Sequence, residues 1–384
     1  MLAIFHPSFA ALTSKKLLLV LALAIGFFIS PAYGDQARGQ ECAATDRQCA
    51  RDALRNNQAQ KSTFWKDAFD RPLEQRIGLP PPELLRYVQL DNIAQQFPNK
   101  PREPTLSEDF MRDVRAAVAE LPAAVKSLLL RKLVGIYLVE DLGGTGLTDT
   151  IWDDERKPVA AFVILDASVL AKQLANSWAT WKENSVFKHD SQWRLVAEIE
   201  LPDQNNRKNA IQYIILHELG HVLSVGSNVH PSWNIPPNEI LPASNYPFYR
   251  LSWIPSRKEN RHLSLFDATF PERRDIVYYF GARFTADQAP CLYKRLIGTN
   301  FVTLYGATNP GDDFAESFVT YVHTVIMKKP FSIKIYKNDE LLVSLASCWN
   351  ELRCASKRKI LDDILQQSQM DTHPTDADEQ RKLK

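Results

Sequence analysis

The sequence has almost no net charge: 46 basic residues against 45 acidic ones leave +1. It shows no basic excess or stripe of the kind that tracks a polyanion, so no nucleic-acid partner is expected. The clusters Arg273-Arg274, Lys328-Lys329 and Lys357-Arg358-Lys359 are short and read as solvated faces. Long apolar runs are also missing. The one such run, Leu17 to Ile29, falls short of the about 20 residues a helix needs to cross a bilayer. The mature chain is therefore expected not to span a membrane. No Gly-Lys-Ser/Thr follows Gly143-Gly144-Thr145-Gly146, which excludes a phosphate-cradling loop there and leaves a turn. There is no internal repeat. Cysteine is scarce, with five in 384 residues, and Cys291, in Ala289-Pro290-Cys291-Leu292, has no nucleophile motif around it.

What is present is an ordinary globular composition, 45% apolar and 24% charged. Lys15-Lys16, the apolar run and the small residues Ala32 and Gly34 make residues 1–34 a secretory signal peptide, with cleavage expected after Gly34. An uncleaved anchor is the alternative. Export to the periplasm or the exterior makes two local disulfides plausible, Cys42–Cys49 and Cys348–Cys354, with Cys291 left over. Residues 35–105 are polar and proline-rich. Parts look helical, Asp46 to Lys61 and Pro82 to Gln96, and the whole reads as an irregular N-terminal segment packed on the main domain, or as a removable pro-segment. The main domain is expected over 106–368, in two lobes divided near 226, with a disordered tail over 369–384.

Within that domain Ser107 caps a helix, and Pro122 ends it or begins the next, which runs to about Leu133. Strands are expected at Gly135–Val139, Ala160–Leu165 and Trp193–Leu201, with a helix from Asp166 or Ser168 through Trp181. Further helices are expected over 270–280, 286–296, 311–328 and 356–367, and a hairpin around Lys337-Asn338-Asp339-Glu340. Strands followed by a helix-rich half make the fold class α+β, with a small sheet.

The chemistry concentrates in Ile211 to Val225, IQYIILHELGHVLSV. His217 and His221, four apart, share one helix face and can converge on a metal ion. Glu218 between them can act on a water bound to that ion. A nearby third histidine would need Gly at 224 and His at 227, but serine stands at both. Gly226 and His230 are out of phase. A carboxylate on a later helix is the other main solution, and Glu316 in Asp312-Asp313-Phe314-Ala315-Glu316-Ser317 is the candidate, one turn into a helix that the two aspartates begin. The aromatic, proline-rich stretch 227–255 follows the histidine helix and either lines the cleft or is a surface excursion.

The pairing of HELGH with a downstream DDFAESF resembles the gluzincin metallopeptidases, in particular the anthrax lethal factor-like branch. The resemblance implies a zincin-like fold, Zn2+ held by His217, His221 and Glu316, and Glu218 as general base. It also implies a tyrosine near the third ligand that stabilises the oxyanion, Tyr305 or else Tyr321. The expected substrate is a protein or peptide. Thr320 stands where the thermolysin-like branch has an aspartate, so support for the histidines would come from elsewhere, Asp312 or Asp313 being candidates. A zinc amidase acting on cell-wall peptides and a non-catalytic binding protein of the same fold stay open. Oligomeric state is not legible.

Overall fold

The computed structural model describes residues 42–370. The expected signal peptide and the tail residues 371–384 lie outside the described residues. The first described part carries α1 (Arg47–Arg55), β1 (Ile77–Gly78) and α2 (Pro82–Gln95). Then come α3 (Glu108–Ala119), α4 (Ala123–Leu129), β2 (Leu133–Val139), β3 (Gly146–Trp152), β4 (Pro158–Asp166) and α5 (Ala167–Leu170). They are followed by α6 (Ala175–Asn184), β5 (Phe187–Lys188), β6 (Trp193–Glu198) and α7 (Arg207–Ser224), the helix that carries the histidine pair. The remainder comprises β7 (Trp253–Ser256), β8 (Arg261–Ser264), β9 (Phe284–Thr285), α8 (Ala289–Ile297), α9 (Pro310–Tyr321), β10 (Ser332–Lys337), β11 (Glu340–Ala346) and α10 (Ala355–Met370).

The main sheet has the order β1-β2-β4-β3. β1, β2 and β4 are parallel, and β3 closes one edge antiparallel to β4. The apolar runs of β2 and β4 fit strands buried on both faces. Alternate residues divide between two cores: Ile136, Leu138, Ala161, Val163 and Leu165 face one, and Tyr137, Val139, Phe162 and Ile164 the other. Each large side chain so buried contributes about 1.5–3 kcal/mol relative to exposure. The first core contains α7, which packs against β3 and β4, and the second contains Trp65 and residues Leu84, Tyr87 and Val88 of α2.

The helical stretches expected within segment 35–105 form as α1 and α2, but the segment is not merely packed on the main domain: its described part also supplies the parallel edge strand β1, and α2 covers one sheet face. Arg76 ties it down, donating to the carbonyls of Leu130 and Leu133 at 2.9 and 2.7 Å. β3 was not anticipated, because GLTDTIW reads as polar. Its threonines are nevertheless buried, and Thr148 faces α7. The helix expected over 270–280 is a correction. Only a 3-10 turn forms at Pro271–Asp275, after which Tyr279 takes a positive φ of 68°. Arg273 there is drawn onto Asp267 and the Ala307 carbonyl, and Tyr278 donates to Glu183, so tertiary bonds replace helical ones. The long excursion after α7 contains the two-stranded β7–β8 hairpin. The C-terminal hairpin β10–β11 extends β6 into a separate three-stranded sheet.

The structure is a mixed arrangement of small sheets and helices, compatible with the α+β class. Both local disulfides form, Cys42–Cys49 and Cys348–Cys354, and Cys291 is free and exposed. Among the described residues no helix is long and apolar enough to cross a membrane.

Candidate metal centre

α7 begins at Asn206, whose side chain accepts from the Asn209 amide, and every residue from Asn209 to Ser224 is buried. An apolar ring of Ile214, Ile215, Leu219 and Val222 anchors the helix in the core. His217 and His221, one turn apart, bring their Nε2 atoms within 3.3 Å of each other. α9 crosses against α7 at Gly220, where an added Cβ would lie 2.7 Å from the Ala315 Cα. The absence of a side chain at Gly220 is therefore what lets the two helices meet.

α9 starts with Asn309 as its cap, accepting from the Asp312 amide, and Pro310 in its first turn. This start places Asp312 opposite the histidines. Its Oδ1 lies 3.5 Å from His221 Nε2 and 3.9 Å from His217 Nε2. Its Oδ2 accepts from Asn309 Nδ2 at 2.5 Å and Thr308 Oγ1 at 3.3 Å, while Oδ1 has no hydrogen-bond partner among the described residues. An unpartnered buried carboxylate oxygen is costly, and here it faces two imidazole nitrogens. His217, His221 and Asp312 thus form a buried group that could hold a metal ion.

No known protein family, curated protein or solved structure matches this chain.

The converging group differs from the expected ligand set in its carboxylate. Glu316 is outside the converging group. Its Oε1 lies 2.8 Å from His217 Nδ1, on the other ring nitrogen, and accepts from Lys182 Nζ at 2.7 Å. Its Oε2 accepts from Thr303 Oγ1 at 2.8 Å. Asp312, expected only as support for the histidines, and Glu316 stand four apart on one helix face, so spacing alone could not tell ligand from support. Asp313 points elsewhere, to Lys357 and Trp253.

Glu218 is 1% exposed. Thr148 of the edge strand donates to its Oε2 at 2.7 Å, and its Oε1 occupies the space that a side chain at Gly146 would fill. Tyr305 stacks on His217 with ring centroids 5.6 Å apart. Burial raises its phenol well above the usual range, and the Asp312 carboxylate adds to that, so the hydroxyl keeps its proton. Burial lowers the His221 pKa against the pull of Asp312, which favours the neutral imidazole a metal requires.

Tyr321, the second tyrosine candidate, donates to Asp362 and packs on Trp349. His323 holds the Ile199 and Pro330 carbonyls through Nε2 and is structural. His262 pairs with the Tyr249 hydroxyl. The aromatic stretch does reach the centre: the Trp233 ring stands edge-on to His221 at 6.1 Å, with His230 behind it at 6.3 Å. Tyr279 approaches Tyr305 at 6.3 Å. The sequence did not single out Lys182, Thr148 or Thr303. Their roles arise from contacts between residues far apart in the chain.

Proposed function

We propose that the protein is an exported zinc-dependent hydrolase that cleaves peptide bonds. The observation that carries this is the spacing of the three donors. Nε2 to Nε2 is 3.3 Å and the two Nε2 to Oδ1 distances are 3.5 and 3.9 Å. A tetrahedron with bonds of about 2.0–2.1 Å has an edge of about 3.3–3.4 Å, so the first two separations fit zinc and the third would close by about 0.5 Å around a bound ion. Two imidazoles and one carboxylate also suit that ion, and three protein ligands leave the fourth position that a catalytic site needs.

His217, His221 and Asp312 would hold the ion, which when bound supplies an acidified water and polarises the scissile carbonyl. The remaining chemistry belongs to the chain. Glu218 takes the proton of the attacking water on its carboxylate and returns it to the leaving amine. Thr148 fixes that carboxylate through Oε2, limiting its rotation. Tyr305, still protonated, donates to the developing oxyanion. Two disulfides support an oxidising compartment outside the cytoplasm.

The test uses the purified full chain, its zinc content and hydrolysis of a mixed peptide library. We expect one zinc per chain and cleavage that Glu218→Gln abolishes while zinc stays bound. Full activity in that variant would remove Glu218 from its role, and a chain that binds no zinc would sink the proposal.

A further inference from the structure

Lys182 is a charged side chain placed deep in the molecule, in the last turn of α6, and it is 4% exposed. Withdrawing an ammonium from water costs several kcal/mol unless a partner offsets it. The partner is Glu316, itself fully buried, at 2.7 Å. The carboxylate oxygen that receives Lys182 is the one lying 2.8 Å from His217 Nδ1. The second oxygen is held by Thr303, whose hydroxyl in turn accepts from the Gly306 amide at 3.0 Å. Lys182 Nζ also lies 4.6 Å from the centroid of the Tyr305 ring, which stacks on His217. So two groups that touch His217, one at its Nδ1 edge and one on its face, rest on the same ammonium. For His221 the carboxylate contact is at Nε2, to Asp312, rather than at Nδ1.

We infer that Lys182 is a positioning residue for the metal site, clamping the Glu316 carboxylate against His217 Nδ1 so that Nε2 of His217 is presented to the ion. This rests on the metal reading above. A carboxylate on the far nitrogen of a ligating histidine fixes the tautomer and the ring orientation. The cation–π contact adds a second restraint, on Tyr305.

A buried ion pair that merely stabilises the fold would share this geometry, so the test separates the two. Zinc affinity is measured on the full chain by competition with a chromophoric chelator. Cobalt(II) is loaded in parallel, because its visible absorption band reports ligand arrangement. The variants are Lys182→Met, Glu316→Gln and the double variant. Lys329→Met is the structural control, since it removes an ammonium that bonds Glu200, Asn209 and Gln212 and none of the metal group. We expect Lys182→Met and Glu316→Gln each to weaken zinc binding about 10- to 100-fold and to shift the cobalt band. The double variant should be no weaker than the weaker single one, because the two residues act as a unit. Lys329→Met should lower the melting temperature and leave zinc and cobalt binding unchanged.

A Lys182→Met protein with wild-type zinc affinity and cobalt band overturns the inference, even if it melts early. So does a loss confined to Glu316→Gln. If Lys182→Met does not fold, the double variant decides, since it buries no orphan charge; unchanged metal binding there is equally fatal. A wild-type chain that takes neither zinc nor cobalt refutes the metal reading and this inference with it.

Discussion

Asp312→Asn tests the ligand assignment most directly. The substitution keeps the shape of the side chain and an oxygen that can still accept from Asn309. It removes the charge from the oxygen that lies 3.5 and 3.9 Å from the histidine Nε2 atoms. Structural zinc sites with four protein ligands bind with about 10–16 kcal/mol, or roughly 3 kcal/mol per donor. Replacing a carboxylate by a neutral amide should remove most of one share, so zinc affinity should fall by about two decades. Fold stability without metal should barely change, because Oδ1 makes no hydrogen bond among the described residues. The assay is chelator competition with zinc, accompanied by thermal melting of the metal-free chain. Glu316→Gln in the same assay should be milder, since Glu316 touches the far nitrogen of His217. If instead Glu316→Gln loses zinc completely and Asp312→Asn retains it, the donor set derived from the geometry is wrong.

Two further outcomes follow from other parts of the molecule. At Gly146 an added Cβ would fall 2.7 Å from Glu218 Oε1, so Gly146→Ala should displace the carboxylate. We expect hydrolysis to drop at least about tenfold with zinc affinity unchanged, as for loss of a general base rather than a ligand. Equal activity would mean that the Glu218 orientation does not matter. Asp91 on α2 is buried beside Asp149, and burial, reinforced by that second carboxylate, raises its pKa to about 7. Its folded pKa is above the unfolded value, so its stabilising contribution is complete below about pH 4 and is lost as pH rises through about 7. The full loss is on the order of 4 kcal/mol, at 1.36 kcal/mol per unit. Urea unfolding at pH 5 and pH 8 should show wild type losing stability relative to Asp91→Asn; parallel curves would refute the coupling.

The histidine helix was legible because its information is local. Two histidines four apart face one way whatever surrounds them, and Asn206 and the apolar positions of α7 fix the helix independently. The buried parallel strands were legible for the same reason, since β2 and β4 are continuous apolar runs. The two disulfides were legible because each joins cysteines close in sequence. The edge strand β3 was missed because its threonines and Asp149 pass for loop residues; in the fold the threonines are buried and Asp149 accepts from Tyr87 of α2. The 270–280 segment was misjudged because its residues bond to Asp267, Ala307 and Glu183 rather than to each other.

The sequence by itself determined the pair of ring nitrogens, the glutamate between them and the downstream acidic helix. Helical geometry makes those local facts independent of the rest of the chain. Only the tertiary structure decided which carboxylate meets the nitrogens. Asp312 and Glu316 share a helix face, and the choice depends on how far α9 slides along α7. The contact between Gly220 and Ala315 sets that position, bringing Asp312 to the Nε2 atoms and leaving Glu316 between His217 Nδ1 and Lys182.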